Sequence, residues 1–342
     1  MPRRRQQDEY DDDYEDEDQQ EEQEDEDEGQ YDSQEEEDEH TWEYSECNGN
    51  RKALLAGINY FGESPGELRG CINDVMNIKE FLHSRGFEED DMLILTDDQE
   101  DEELRPTKEN MINGMQWLVD GAEPNDSLFF HFSGHGGPEE DEDGDEEDGF
   151  DESILPVDHQ EVGSIVDDTM HEILVTSLPV GCRLTVIFDC CHSGSGLDLP
   201  YTYRDTGNIR KPSKKEQLET LKQHIARGDT DALALQVKAL QLVESGEAAQ
   251  AARLTKETRH SDADVIFFSG CLDAQTSADA VIDEQNTGAL SHALVKVLYE
   301  NSEISYRELL IGIREFMEEK GLTQIPQLSS SHPYDINLSF AL

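Results

Sequence analysis

Positive charge is scarce in this chain. Against 81 Asp and Glu stand only 26 Lys and Arg in 342 residues, a formal net charge of −55. Nothing offers the basic face that phosphate binding needs, so nucleic acid is not an expected partner, whereas basic proteins and divalent cations are. Long apolar runs are missing too. No stretch approaches the roughly 20 residues of a membrane span, and the opening Met-Pro-Arg-Arg-Arg-Gln-Gln runs into acids rather than into the apolar core of a signal peptide. A soluble chain with no membrane partner is the expectation. The six cysteines are irregularly spaced, with no Cys-x-x-Cys pair, so neither a disulfide framework nor a zinc site is indicated. Unpaired thiols suit a reducing compartment, which places the chain in the cytoplasm, with the nucleus as a second location.

What is present suffices for one large α/β domain: 35% of the residues are hydrophobic. The charge is uneven. Residues 1–46 hold 24 acids and three arginines, leaving −34 for the rest. Such a head repels itself and reads as a disordered, solvated tail. Beyond it, strands are expected at Ala53 to Ile58, Met92 to Leu95, Ser127 to Phe132 and Val265 to Phe268, with a last one at Ile336 to Leu342. Helices are expected from about Ile72 to Ser84, after a Thr107 cap through Trp117 and Val119, from Ala289 to Leu298 and from Tyr306 to Met317. Between the two blocks lies a charged stretch, about 201–260, whose Lys214 to Ala226 and Ala232 to Val243 portions read as helical. Strands alternating with helices at this spacing imply a mostly parallel sheet covered on both faces.

Two strands end abruptly in polar chemistry. One runs Val186-Ile-Phe-Asp189-Cys190-Cys191-His192-Ser-Gly194; the other, Ser127-Leu-Phe-Phe-His-Phe132, ends in Ser133-Gly-His135-Gly-Gly137. Parallel strands that enter from one side end on one edge, where α/β sheets bind ligands. A thiol becomes a good nucleophile when a neighbour promotes the thiolate, and an imidazole does that while supplying a proton to the leaving group. A cysteine thiol at one strand end and His135 at the other therefore point to a cysteine hydrolase. Side chains alternate along a strand, so only one of Cys190 and Cys191 can face the crevice.

Ser133-Gly-His135-Gly and Asp189-Cys-Cys191-His-Ser-Gly resemble the two catalytic motifs of type I metacaspases, calcium-dependent relatives of caspases. The resemblance covers roughly residues 51–342. Further matches are Arg69-Gly-Cys71-Ile-Asn-Asp74, Asp148-Gly-Phe-Asp151-Glu, Ile165-Val-Asp167-Asp168, Leu197-Asp198-Leu-Pro200 and Phe268-Ser-Gly-Cys271-Leu-Asp-Ala-Gln-Thr-Ser-Ala-Asp279. It implies the caspase-haemoglobinase fold, with a large catalytic segment over 47–200, a processing linker over 201–261 and a small segment over 262–342. It implies Cys191 as nucleophile, since the family's cysteine immediately precedes His-Ser-Gly, and a dyad with His135. Gly136 and the Cys191 amide become the donors for the oxyanion of the tetrahedral intermediate.

Caspases hold an aspartate beside the scissile bond with arginines, whereas the matching positions here resemble Cys71, Asp74, Ser133 and Asp189. Two carboxylates in a small pocket call for a cation. Cleavage after Arg or Lys of protein or peptide substrates is the expectation. Arg204, Arg210, Lys211, Lys214, Lys215, Arg253, Lys256 and Arg259 supply such residues within the linker, the segment ends being favoured for self-processing of a zymogen.

The acid-rich run Pro138 to Glu152 fails the EF-hand pattern: with Gly144 at position six, position twelve is Phe150, which cannot ligate. It reads mostly as a solvated loop. The family's calcium ligands match Asp151, Asp167, Asp168 and Asp198 one by one, which makes Ca2+ the implied cofactor; read locally, Asp167 and Asp168 also suit the start of a helix at Met170. The chain is read as a calcium-activated monomeric cysteine endopeptidase. A non-proteolytic calcium-binding or interaction protein on a disabled caspase-like scaffold is the alternative, and the intact Cys191 and His135 count against it. A caspase proper, cutting after Asp, is disfavoured by acids where cations would be needed.

Overall fold

Three strands, β3 (Ser127–Ser133), β7 (Arg183–Asp189) and β9 (Asp264–Ser269), are buried from end to end, and strands that dry on both faces require helices above and below. The computed structural model describes residues 42–141, 146, 149–190, 196–204, 206, 208–209, 230–270, 279–282, 285–322 and 324–342. With β1 (Arg51–Gly57), β2 (Met92–Thr96), β8 (Tyr201–Tyr203) and β12 (Gln327–Ser330), these strands build a seven-stranded sheet in the order β2-β1-β3-β7-β9-β12-β8. The first five are mutually parallel, and β12 runs antiparallel to both of its neighbours, β9 and the edge strand β8.

Alternation along each strand sorts the core into two layers. Ala53, Leu55, Phe129, Ile187, Ile266 and Phe268 face helices α1 (Cys71–Ser84), α6 (Ala289–Glu300) and α7 (Tyr306–Glu319). Leu54, Ala56, Phe130, Val186 and Phe267 face α2 (Lys108–Val119) and the short α3 (Asp167–His171), which runs on as a wider turn over Glu172–Thr176. Thr107 caps α2 as expected, its side chain accepting from the Asn110 amide at 3.2 Å. At the N-terminal edge of the sheet the fully buried Arg183 donates to Asp264 at 2.6 Å and to the Tyr334 hydroxyl at 2.8 Å, and also reaches the Tyr306 hydroxyl, tying the last helix to the strands.

Several expectations need correction. Ile336 to Leu342 is not a strand: one isolated bridge joins Ser339 to Ser305, and Phe340 and Leu342 pack on the apolar layer instead. The edge strand is β8, paired with the polar β12, whose Ser329 hydroxyl pairs with that of Thr202 at 3.0 Å. The run Pro138 to Glu152, expected to be mostly a solvated loop, is strand at both ends, while 142–145 and 147–148 lie outside the described residues. Its ends form the hairpin β4 (Gly136–Glu140) and β5 (Phe150–Ile154), joined by β6 (Ile165–Val166) into a second sheet. Further on, α4 (Thr230–Ser245) is followed by α5 (Glu247–Thr258), so the C-terminal end of the linker is helical rather than loose. Lys214 to Ala226 lies outside the described residues, as does the acidic head up to residue 41.

Candidate active site

The strand ends align. Ser133 is in register with Asp189 across β3 and β7 and with Gly57 across β1, on one edge of the sheet. Just past that edge the chain turns through Gly134, where a Cβ would lie 2.7 Å from the Phe132 ring and 2.9 Å from the Tyr60 hydroxyl, so only glycine lets the histidine follow so closely. The half-buried His135 sets its Nε2 against the Gly66 carbonyl at 2.6 Å. A carbonyl only accepts, so Nε2 carries the hydrogen and Nδ1 is the nitrogen left to accept a proton. Tyr60 braces the ring from one side, its centroid 4.6 Å away. Its hydroxyl accepts from the His135 amide at 2.9 Å and donates to the Leu155 carbonyl at 2.6 Å. The orienting group for His135 is thus a backbone carbonyl, which the sequence did not offer. Gly136 follows as the first residue of β4. Cys190 is buried in the apolar layer with Phe188 and Leu197, as strand alternation requires; Cys191 lies outside the described residues.

On the α1 and α6 face of the same edge, two carboxylates converge. Asp74, fully buried on the first turn of α1, accepts from the Ser133 hydroxyl at 2.8 Å, from the Gly288 amide at 2.9 Å and from the Thr287 hydroxyl. Asp189 accepts from the Ser291 amide at 2.8 Å. Gly288, the last residue of β11 (Gln285–Gly288), which pairs with β10 (Asp279–Ile282), sits against both: an added Cβ would collide with Asp189 Oδ2 and lie 2.8 Å from Asp74 Oδ2. Burial, with the neighbouring charge of Asp189, pushes the Asp74 carboxyl up to about 8, against the lowering pull of its three donors. Cys71, one turn before Asp74, is buried with its amide on Asn59 Oδ1 at 3.1 Å. The four residues expected to line a substrate pocket therefore lie together, and Thr287, Gly288 and Ser291 join them.

A second acidic group lies along β5 and α3. Glu146, Asp167 and Asp198 bring carboxylate oxygens within 4.8 Å of one another. Asp167 holds the Glu152 amide at 2.6 Å and the Asp168 amide at 3.0 Å. Burial first, then the charges of Asp198 and Asp151, drive the Asp167 carboxyl well above the usual carboxylate range; burial and the charges of Glu152, Asp198 and Asp167 do the same to Glu146. Of the four expected ligands, Asp167 and Asp198 meet directly, Asp151 stands close enough to raise Asp167, and Asp168 turns to the Arg259 guanidinium. Glu146 was missed. A set of hard oxygen donors without nitrogen or sulfur fits a calcium-like cation rather than a transition metal.

A parallel α/β sheet with a braced histidine just past the end of β3, and the Asp189 end of β7 in register beside that strand, has the architecture of the caspase-like class of peptidases. The metacaspase peptidase C14 domain matches residues 51–200. Metacaspase-1 of Mycosarcoma maydis is 48% identical over 305 residues, 88% of this chain and 75% of the relative; Metacaspase-1 of Schizosaccharomyces pombe is 48% identical over 307 residues, 88% and 72%. The fold is shared with a crystal structure of a Geobacter sulfurreducens protein, at a TM-score of 0.53 and 22% identity over 85% of this chain and 97% of that one. The chain belongs to the metacaspase family, of type I, and is a cysteine endopeptidase.

Proposed function

We propose that this endopeptidase cuts protein substrates after Arg or Lys, with Cys191 as nucleophile and His135 as general base, that calcium activates it, and that it processes itself from a zymogen. The observation that carries the specificity is the convergence of Asp74 and Asp189 on Gly288 at the strand edge shared with His135. A guanidinium or ammonium entering there would displace the Thr287 hydroxyl and the Gly288 amide as partners of Asp74, and its charge would return Asp74 to the carboxylate. An aspartate side chain would bring a third acid into a buried space and be rejected.

The chemistry follows from the histidine's orientation. With Nε2 held by Gly66, Nδ1 takes the thiol proton of Cys191 and passes it to the leaving amine, while the amides of Gly136 and Cys191 stabilise the oxyanion. Calcium, held by Glu146, Asp167 and Asp198 with Asp151 and Asp168 beside them, would neutralise the crowded carboxylates and order the loop that leads from β7 to Asp198. Processing is proposed at the ends of the linker, Arg204 and the basic residues 210–215 among them, and the helical position of Arg253 and Lys256 in α5 counts against cutting there, since a peptidase needs extended backbone. Incubating the purified chain with Arg-ending and Asp-ending fluorogenic peptides, with and without calcium, tests this. Calcium-stimulated release from the Arg peptide alone is expected; preference for the Asp peptide refutes the pocket, and equal rates with a chelator refute calcium activation.

A further inference from the structure

The helical hairpin formed by α4 and α5 leans on the acidic group through two cations. Lys238, midway along α4, donates to the Gly149 carbonyl at 2.6 Å and stands 3.8 Å from the centre of the Phe150 ring. Gly149 has φ +80, a backbone that favours glycine, and the end of the Lys238 side chain lies directly over it. Arg259, the residue that ends α5, reaches the other rim. Its guanidinium pairs with Asp168 Oδ1, its Nε lies 3.9 Å from Asp198 Oδ2, and the side chain is only 15% exposed. Of the four aspartates matched to calcium ligands, two are therefore engaged by a positive side chain from the linker itself.

We infer that Arg259 is the internal counter-cation of this site, and that it must give way when a divalent cation binds, loosening the α4 and α5 hairpin from the catalytic segment. The inference rests on the calcium reading above. The guanidinium carries one charge and lies on Asp168 and near Asp198 rather than among Glu146, Asp167 and Asp198, so it neutralises the rim and leaves the buried carboxylates crowded. A dication at the centre repels the guanidinium at the rim and recruits Asp168 and Asp198 from it. Two ligands that share partners and carry like charge bind with negative coupling, and the coupling is reciprocal: whatever calcium costs Arg259, Arg259 costs calcium. Arg259 is then a poor scissile residue in the calcium-free chain and a device that reports cation binding to the linker.

The test uses the full chain carrying Cys191→Ala, which blocks self-cutting, with millimolar magnesium throughout to occupy exposed carboxylates. Calcium binding is measured by titration calorimetry, and amide hydrogen exchange is followed across residues 230–259, for the parent, Arg259→Gln and Arg259→Lys, each first shown to be folded by circular dichroism. Arg259→Gln should bind calcium about tenfold more tightly and show, without calcium, the raised exchange that the parent shows only with it. Arg259→Lys, which keeps the charge, should stay near the parent. Equal affinities for all three, or tighter binding by Lys and Gln alike, overturn the inference while calcium binding stands. Weaker binding by a folded Arg259→Gln also overturns it, because Arg259 would then support the site. Binding by none of the three overturns the inference and the calcium reading together.

Discussion

Asp74 and Asp189 sit beneath Gly288 among neutral donors, whereas Glu146, Asp167 and Asp198 sit among one another with an arginine at their rim. Both places bury carboxylates at real cost. The first satisfies its oxygens with hydroxyls and amides, which under the proposed function a single organic cation of the substrate would replace. The second has more acid than donors and needs more positive charge than one side chain supplies. On the proposed reading the difference separates a specificity pocket from a regulatory site within one acidic protein, and it makes the two separable by mutation.

The largest effect expected is on the pocket. Leaving one partner of a buried ion pair without the other costs about 2 to 5 kcal/mol, so Asp189→Asn should lower kcat/KM for an Arg-ending peptide by roughly one to three orders of magnitude while calcium affinity by calorimetry stays put. Gly288→Ala, which fills the space between the two carboxylates, should cost on the order of 100-fold through misplacement of the substrate, again with calcium binding unchanged. A smaller effect is set by pH. Because the Asp74 carboxyl is pushed up to about 8, affinity for an Arg-ending peptide inhibitor should tighten as pH rises toward about 8 and level off beyond it, and Asp74→Asn should flatten that profile. The same shift has the opposite sign for stability. The folded, ligand-free chain binds this proton more strongly than the unfolded chain, so the Asp74 contribution is present below the ordinary carboxylate range and is lost as pH rises through about 8; thermal melts of the parent against Asp74→Asn measure it. The smallest effect lies outside both sites. Thr107→Ala should cost about 1 kcal/mol and lower Tm without altering peptide preference or calcium response.

Much of the frame was legible because it is written in apolar period: the buried runs Ser127–Ser133 and Asp264–Ser269 and the amphipathic Tyr306–Glu319 could hardly be anything else. That Asp74 and Asp189 come together at one strand edge was legible from their motifs. What escaped carries no side-chain signal or a misleading one. The Gly66 carbonyl that orients His135 is backbone, supplied by a Gly/Pro loop 69 residues away in sequence. Thr287 and Gly288 belong to a polar Gln-Asn-Thr-Gly strand with no alternation to mark it. Glu146 was hidden among the acids around it, since burial of one carboxylate in a charged run depends on what folds over the run. Arg259 read as a cleavable cation because its partners, Asp168 and Asp198, lie 91 and 61 positions earlier. Ile336 to Leu342 has strand-like composition, yet its apolar residues serve to cover the layer beside α7 rather than to pair.

The most direct test of separability is a calcium titration of Arg-peptide cleavage for the parent, Asp189→Asn and Asp167→Ala, recording the midpoint and the plateau for each. The account predicts that Asp189→Asn lowers the plateau and leaves the midpoint where it was, whereas Asp167→Ala moves the midpoint to far higher calcium or removes the response altogether. Parallel changes in the two variants, with both shifting the midpoint or both lowering only the plateau, would contradict it and merge the two acidic sites into one.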